Sequence, residues 1–120
     1  MKDLTENGFS KFTGARTFLT EDLIVSIGEK GRIGINKRAF LDYLSHYQFV
    51  ELFYNSKTKV MALKGTNTKN ATAFPIKNYE KVGTAYINSK SFFNFFGIKP
   101  EKKRIKAIWD KEAEALLVQL

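Results

Sequence analysis

The chain has 120 residues, of which 43% are hydrophobic and 27% charged, and its formal net charge is +8 at pH 7. This length and composition predict one globular domain with its own core, and the lack of an apolar run of about 18 residues excludes a membrane-spanning helix. The chain has no cysteine, which excludes disulfides and thiolate metal sites, and its excess of cations favours a polyanionic partner such as nucleic acid.

The first segment, residues 1–17, combines glycines with cations and is expected to form an extended N-terminal arm. Phe9 and Phe12 are its candidates for docking on the body of the protein. The N-terminus lacks an apolar stretch followed by a small-residue cleavage site, so we expect no secretory signal and a cytoplasmic location. The remaining residues, 18–120, are expected to form a single domain.

This domain contains an internal repeat. A shift of 52 residues places segment 31–44 over segment 83–96, where Gly, Ile, Asn and Phe coincide. With a connection three residues longer in the second copy, segment 50–55 also matches segment 105–110. One unit of about 45 residues cannot bury both a sheet face and a helix alone, so we expect the two copies to share a core. The copies span about residues 22–64 and 74–120.

Each copy predicts the element order β-β-α-β-β, starting with two short strands joined by a charged turn. The predicted strands are about 23–27 and 32–35 in the first copy, and about 74–79 and 84–87 in the second. Asn36 and Asn88 follow the second strand of each copy, where an N-cap residue belongs.

Apolar residues at helical spacing follow each predicted cap and indicate a helix of about eight to ten residues. Gly97 is a candidate C′ residue that closes the second helix. This second helix carries more bulky residues than one face can hold, since phenylalanine occupies positions 92, 93, 95 and 96. Phe93 is therefore a candidate contact for a protein partner or a second subunit.

Each copy ends in a predicted β-hairpin. Its strands are about 49–54 and 59–63 around a turn at 55–57 in the first copy, and about 104–109 and 114–120 around a turn at 110–112 in the second. Tyr54 and Trp109 occupy equivalent strand positions and are expected to anchor the core or a sheet face.

Residues 23–40, with the helix and hairpin that follow, resemble the AbrB/SpoVT/MazE swapped-hairpin superfamily. Gly31-Arg32, Ile35 and Lys37 are the matching positions, and the second copy joins the resemblance through the repeat. The resemblance implies an α+β, mainly β fold in which two pseudo-symmetric units form an interleaved swapped-hairpin barrel. A tandem copy in one chain is similar to the MraZ-like proteins, and it implies a monomeric pseudo-dimer or a homodimer.

The resemblance also implies that basic residues of the first loop and helix start grip double-stranded DNA. By position these are Arg32, Lys37 and Lys30, and Arg38 completes the densest basic cluster of the chain. The alternative for this cluster is a solvated charged turn. A second basic run, residues 99–104, is more typical of a plain surface loop. Asn36 replaces the usual proline of the family, and Thr84 and Ser89 replace the basic pair in the second copy.

Candidate catalytic and metal-binding residues are lacking, because His46 is the single histidine and no nucleophile stands beside an identifiable base. We therefore expect no enzyme activity, no cofactor and no metal. The sequence predicts a non-catalytic DNA-binding protein, a small AbrB-like transcriptional regulator. The alternative is a protein-binding module without DNA binding, either antitoxin-like or a host-directed accessory protein, that uses Phe93, the arm or exposed sheet edges.

Overall fold

The computed structural model describes residues 22–79 and 83–120, and this part of the chain is mainly β. The arm predicted for residues 1–17 lies outside the described residues, as does the charged turn predicted around residues 80–82. The elements are, in chain order, β1 (Ile24–Ile27), β2 (Arg32–Ile35), α1 (Lys37–Ala39) with a π-helical continuation (Phe40–Leu44), β3 (Phe49–Asn55), β4 (Val60–Thr66), β5 (Ala73–Pro75), β6 (Lys77–Tyr79), β7 (Thr84–Asn88), α2 (Lys90–Phe95), β8 (Lys103–Lys106), β9 (Ile108–Asp110) and β10 (Ala115–Gln119).

In the described part of the chain, the strands form two antiparallel sheets of five strands each. The first sheet has the order β6-β7-β2-β1-β8, and the second has the order β5-β3-β4-β10-β9. We call residues 22–64 the first half and residues 73–120 the second half. Each half contributes hairpin strands to both sheets, and the central pairs, β2 with β7 and β4 with β10, join one half to the other. The two segments that the sequence predicts as copies are therefore paired with each other in both sheets, so that the halves interlock.

Two extended segments pass from one sheet to the other. The first crosses at Ile76, between β5 and β6, and the second crosses at Ala107, between β8 and β9. The single strand predicted over residues 74–79 is thus two strands. Pro75 has no N–H to donate, which suits the edge position of β5, and the Ile76 amide donates to the carbonyl of Gln48 at 2.9 Å.

The barrel implied by the family resemblance is not confirmed. The sheets are not closed, and β6, β8, β5 and β9 are their edge strands among the described residues. The coarser expectation of a mainly β protein is confirmed. A closed barrel needs continuous pairing around its circumference, and here the pairing of each sheet ends at its outer strands.

The two predicted N-caps differ. The Asn36 side chain caps α1, because its Oδ1 accepts from the amide of Ala39 at 3.1 Å and also from the amide of Ile24. Asn88 is instead the last residue of β7, and its Oδ1 accepts from Nε of Arg32 at 3.3 Å. The prediction of a cap at Asn88 was therefore wrong, and Ser89 occupies the N-cap position of α2 without a side-chain cap bond.

The end of α2 agrees with the prediction for Gly97. Gly97 has φ of 65°, its amide donates to the carbonyl of Asn94, and the amide of Ile98 donates to the carbonyl of Phe93 at 2.8 Å. This pair of bonds is a Schellman motif, which needs a residue in the left-handed conformation at C′.

The prediction that Phe93 contacts a partner was wrong, because this side chain is only 1% exposed and belongs to the core. The helix α2 has six residues. The rings of Phe92 and Phe93 are buried in the core, whereas the Phe95 side chain is 81% exposed. Phe95 is therefore the ring of this helix that is available to a partner.

The core lies between the two sheets and draws on both halves. Its largest fully buried side chains include Ile33, Leu44 and Met61 of the first half and Ile87, Phe93 and Leu116 of the second.

Aromatic contacts link the helix of each half to the hairpin of the other. The Tyr43 ring stacks on Trp109 with centroids 4.3 Å apart, and the Tyr54 ring meets Phe96 at 5.4 Å. Both predicted anchors, Tyr54 and Trp109, are packed against the core, which confirms their interpretation.

The two C-terminal hairpins repeat the same turn. Asn55 Oδ1 accepts from the amides of Lys57 and Thr58, and Asp110 Oδ1 accepts from those of Glu112 and Ala113. Each turn ends in a residue with positive φ, Lys59 at 62° and Glu114 at 52°. These matched turns extend the sequence repeat to backbone conformation.

Candidate nucleic-acid interface

The first hairpin turn, residues 28–31, packs against the start of α2. The amide and the hydroxyl of Ser89 both donate to the carbonyl of Gly31, at 3.1 and 2.6 Å. Gly31 has φ of 83°, and a Cβ at this position would lie 2.8 Å from the Cα of Lys90. The absence of a side chain at Gly31 therefore allows a basic turn of one half to meet a basic helix start of the other half.

A groove of about 910 Å³ lies where these two segments meet, and we call it the cationic groove. Its lining residues are Gly28, Glu29, Lys30, Gly31, Arg32, Asn88, Ser89, Lys90, Ser91 and Lys102. Four of these side chains carry positive charge, and one, Glu29, carries negative charge. Neither of the ion pairs found among the described residues involves a lining residue. The groove is consequently a site of net positive charge that is open to solvent.

The structure separates the four basic residues that the sequence placed in one cluster. Lys30 and Arg32 line the cationic groove, whereas Lys37 and Arg38 do not. Lys37 lies near the opposite end of the β2–β7 pair, where a Cβ added to Gly83 would be 3.0 Å from its Cγ. The charge of Arg38 is paired, since its Nε lies 2.8 Å from Oδ2 of Asp42.

Arg32 is held in place by the second half. Its Nε donates to Asn88 Oδ1, and its guanidinium carbon lies 4.3 Å from the ring centroid of Tyr86. A guanidinium group has five N–H donors, so the single bond to Asn88 leaves donors for a phosphate. The contacts with β7 thus orient Arg32 without neutralising its charge.

Lys90 and Lys102 are groove residues that the sequence prediction did not include. Lys90 is the equivalent of Arg38 under the shift of 52, so the repeat carried a signal for it. Lys102 lines the groove and belongs to the basic run 99–104. The sequence pattern of this run is more typical of a plain surface loop. Both residues line the groove because the second half packs against the turn of the first half. A local sequence pattern does not reveal such a contact between distant segments.

The side of the first sheet that faces away from the core adjoins the cationic groove. Along a strand, side chains alternate between the two faces, and the buried residues of β1, β2 and β7 all point to the core. The opposite side carries a row in register across all five strands. The row consists of Lys77, Tyr86, Gly34, Ser26 and Arg104. We call this surface the open face, and Arg32 borders both it and the cationic groove.

In residues 22–79 and 83–120, no group of three or more His, Cys, Asp or Glu side chains is arranged to hold a metal ion. No helix in this part of the chain has the length and apolar character needed to cross a membrane.

Comparison of the chain with protein-family models, curated proteins and solved structures gives no match in any of the three.

Proposed function

We propose that the protein binds double-stranded DNA without catalysing a reaction, and that the cationic groove is the main contact with the phosphate backbone. The observation that carries this proposal is the meeting of Lys30, Arg32, Lys90 and Lys102 on one groove with a single acidic residue. Lysine and arginine side chains that neutralise phosphates release counterions, which drives binding.

Two further properties support the proposal. The net charge of +8 attracts a polyanion over a longer range than any single contact. The resemblance of residues 23–40 to the AbrB/SpoVT/MazE superfamily is consistent with a small transcriptional regulator, and the interlocked halves are consistent with a swapped-hairpin pseudo-dimer in one chain.

The experiment is a salt titration of duplex binding by fluorescence anisotropy. If four phosphates are neutralised, raising the salt from about 50 to about 200 mM should weaken binding roughly 100-fold. The triple variant Lys30→Gln, Lys90→Gln, Lys102→Gln should bind weakly and should show a salt dependence of about a single phosphate contact, because Arg32 alone remains.

A matched control removes the same charge elsewhere. Lys57, Lys69 and Lys111 are exposed residues of turns and of the linker between the halves, and none lines the groove. The triple Lys→Gln variant at these positions should retain most of the duplex affinity. Equal losses in the two triple variants, or binding of the wild type that does not respond to salt, would contradict a specific role for the groove.

A protein-binding module is the second candidate, and a separate surface favours it. The outward side of the second sheet carries an apolar row in register across four strands, formed by Phe53, Ala62, Leu117 and Ile108. Phe53 is 49% exposed and Ile108 is 69% exposed. The double variant Phe53→Ser, Ile108→Ser would abolish a protein complex formed through this row, measured by size exclusion with light scattering, and would leave DNA binding unchanged.

A further inference from the structure

We infer that two copies of the chain associate face to face through the apolar row of the second sheet, with the row of one copy reversed on the row of the other. The inference goes beyond DNA binding, and it rests on the second candidate function only in using the same row. None of the residues that line the cationic groove belongs to the second sheet, so the association leaves the groove of each copy open.

The row has a relief that matches itself when it is reversed. Its order across the sheet is Phe53 on β3, Ala62 on β4, Leu117 on β10 and Ile108 on β9. The residues at its two ends are large and exposed, Phe53 by 49% and Ile108 by 69%. A depression of about 380 Å³ is lined by the short side chain of Ala62, with Phe53 and Leu117 beside it. One row therefore carries both protruding side chains and a recess.

A two-fold axis that runs parallel to the strands, between β4 and β10, brings these parts together. It places the partner's Leu117 opposite Ala62, over the depression, and the partner's Ile108 opposite Phe53. Each contact then occurs twice, because the same patch is used by both copies. A large side chain faces a small one at the centre, and the exposed apolar residues at the ends cover each other.

The adjacent row on the same side of the sheet has charges of both signs. It contains Glu51, Lys64 and Asp110, since side chains two residues apart along a strand share a face. Under the same axis, the partner's Asp110 lies opposite Glu51, and Lys64 is one strand, about 4.8 Å, away from both carboxylates. Nζ of Lys64 donates to the carbonyl of Ala113 at 3.1 Å and has two further donors for them.

This distribution of charge suits a second copy of the same chain. The formal net charge of +8 makes two copies repel each other as whole molecules. Contact through an uncharged row, flanked by a lysine that lies between two carboxylates, avoids a direct meeting of cations. A polyanion, in contrast, finds no cation in the row itself.

The area of the second sheet is sufficient for a dimer of moderate affinity. Its five strands are three to seven residues long. With strands about 4.8 Å and residues about 3.4 Å apart, such a sheet covers roughly 400 Å² when flat, and its side-chain relief adds to the accessible area. Interfaces of standard size begin at about 600 Å² for each partner. We therefore expect a dimer that dissociates on dilution.

The first experiment measures molar mass by size exclusion with light scattering over a range of protein concentrations. The wild type should rise from 13.7 kDa towards twice that value. Ile108→Ser should weaken the dimer roughly 100-fold, because each buried isoleucine contributes at least about 10-fold and the two-fold axis repeats the loss. The matched control is Phe95→Ser, which removes an apolar side chain that is 81% exposed on α2, outside the row, and it should leave the dimer unchanged.

The second experiment tests the reversed pairing by crosslinking, which is direct because the chain has no cysteine. A mixture of the Phe53→Cys and Ile108→Cys variants should be crosslinked by a short bismaleimide, since the two thiols face each other. Each mixed dimer also keeps one unaltered contact between Phe53 and Ile108. Either variant alone should crosslink poorly, because its two thiols are displaced by three strand spacings, roughly 14 Å, along the row.

The outcomes separate this inference from the proposed function. A wild type that stays monomeric at every concentration, including one that binds a different protein through the row, would overturn the inference. A dimer that is lost with Phe95→Ser but not with Ile108→Ser, or one in which each cysteine variant crosslinks to itself, would also overturn it. Duplex binding is measured separately by anisotropy. The groove variant Lys30→Gln, Lys90→Gln, Lys102→Gln should still form the dimer, and Ile108→Ser should still bind the duplex.

Discussion

Three glycines among the residues that the structure describes adopt positive φ, and their surroundings differ in a way that stability measurements can resolve. Gly31 has φ of 83° and backbone atoms of Lys90 within 3.3 Å of where a Cβ would lie. Gly83 has φ of 74° and faces the flexible side chain of Lys37. Gly97 has φ of 65° and open space around it. The conformational penalty of a side chain is shared by all three, so differences between them report the space available.

We predict that Gly31→Ala lowers the free energy of unfolding by at least about 3 kcal/mol. About 1–2 kcal/mol comes from placing an alanine in the left-handed region, and the remainder comes from the clash with the Lys90 backbone. The matched control, Gly97→Ala, should cost only about 1–2 kcal/mol, and Gly83→Ala should fall between the two because a lysine stem can move. Urea unfolding of the three variants measures this order, and equal losses would refute the steric contribution at Gly31.

At the scale of elements, the turn of the hairpin that ends each half includes a non-glycine residue in the left-handed conformation, which its sequence does not favour. Lys59 and Glu114 have φ of 62° and 52°, a region that only glycine adopts without a penalty. The Asn55 and Asp110 side chains, which accept from the amides within the turns, help to hold the turns in this form.

We predict that Lys59→Gly stabilises the protein by roughly 0.5–1 kcal/mol, because relief of the left-handed strain outweighs the greater flexibility of glycine in the unfolded chain. Lys57→Gly is the control, since Lys57 lies in the same turn without positive φ, and it should give no gain. Thermal unfolding would show the difference as a higher Tm for Lys59→Gly alone. An equal or lower Tm for Lys59→Gly would show that the turn is not strained.

The elements also show what a local pattern can and cannot specify. Asn36 was predicted as a cap from its place before an apolar helix, and it caps α1 because Ala39 and Ile24 present free amides to it. Asn88 has the same local context, yet β7 continues through it, because its backbone pairs with Arg32 of the neighbouring strand, whose side chain also binds the Asn88 side chain. The difference between the two arises from strand pairing across the halves, which lies beyond the range of local sequence.

At the scale of the whole molecule, each half depends on the other for most of its pairing. The inner strands β2 and β4 pair with β7 and β10, and the outer pairs β1 with β8 and β3 with β5 also join the halves. A half on its own would expose one strand edge from each of these four pairs, together with the core face of its helix, which is unfavourable for a fragment of this size.

We predict that fragments 1–69 and 70–120 are each unfolded when expressed alone and regain the native circular dichroism spectrum when mixed. The exposed linker around Asn70 is a suitable division point because no strand includes it. The intact chain, as the control, should unfold in one cooperative transition. A stable fold of either fragment alone, or an unfolding curve with two transitions, would contradict the interlocked arrangement.

The candidate site was predicted only in part, for a related reason. Lys30 and Arg32 could be found from the basic turn that precedes β2, whereas Lys90, the equivalent of Arg38 in the repeat, was not predicted. Nothing in the order of residues showed that the turn of one half meets the helix start of the other. Phe93 was misassigned for the same reason, because the choice between Phe93 and Phe95 as the buried ring is made by packing across the halves.

Among the described residues, the cationic groove lies at the end of the β2–β7 pair where Arg32 faces Asn88, and this makes the charged surface directional. Under the shift of 52, the counterparts of Lys30 and Arg32 are Val82 and Thr84, so the duplicated framework repeats the charge of Lys90 at Arg38 but does not repeat these two charges. A two-fold symmetric reader presents the same groups to both arms of a palindrome. Here a polynucleotide on the proposed surface would lie in a single orientation, and its preferred sequence would have no reason to be palindromic.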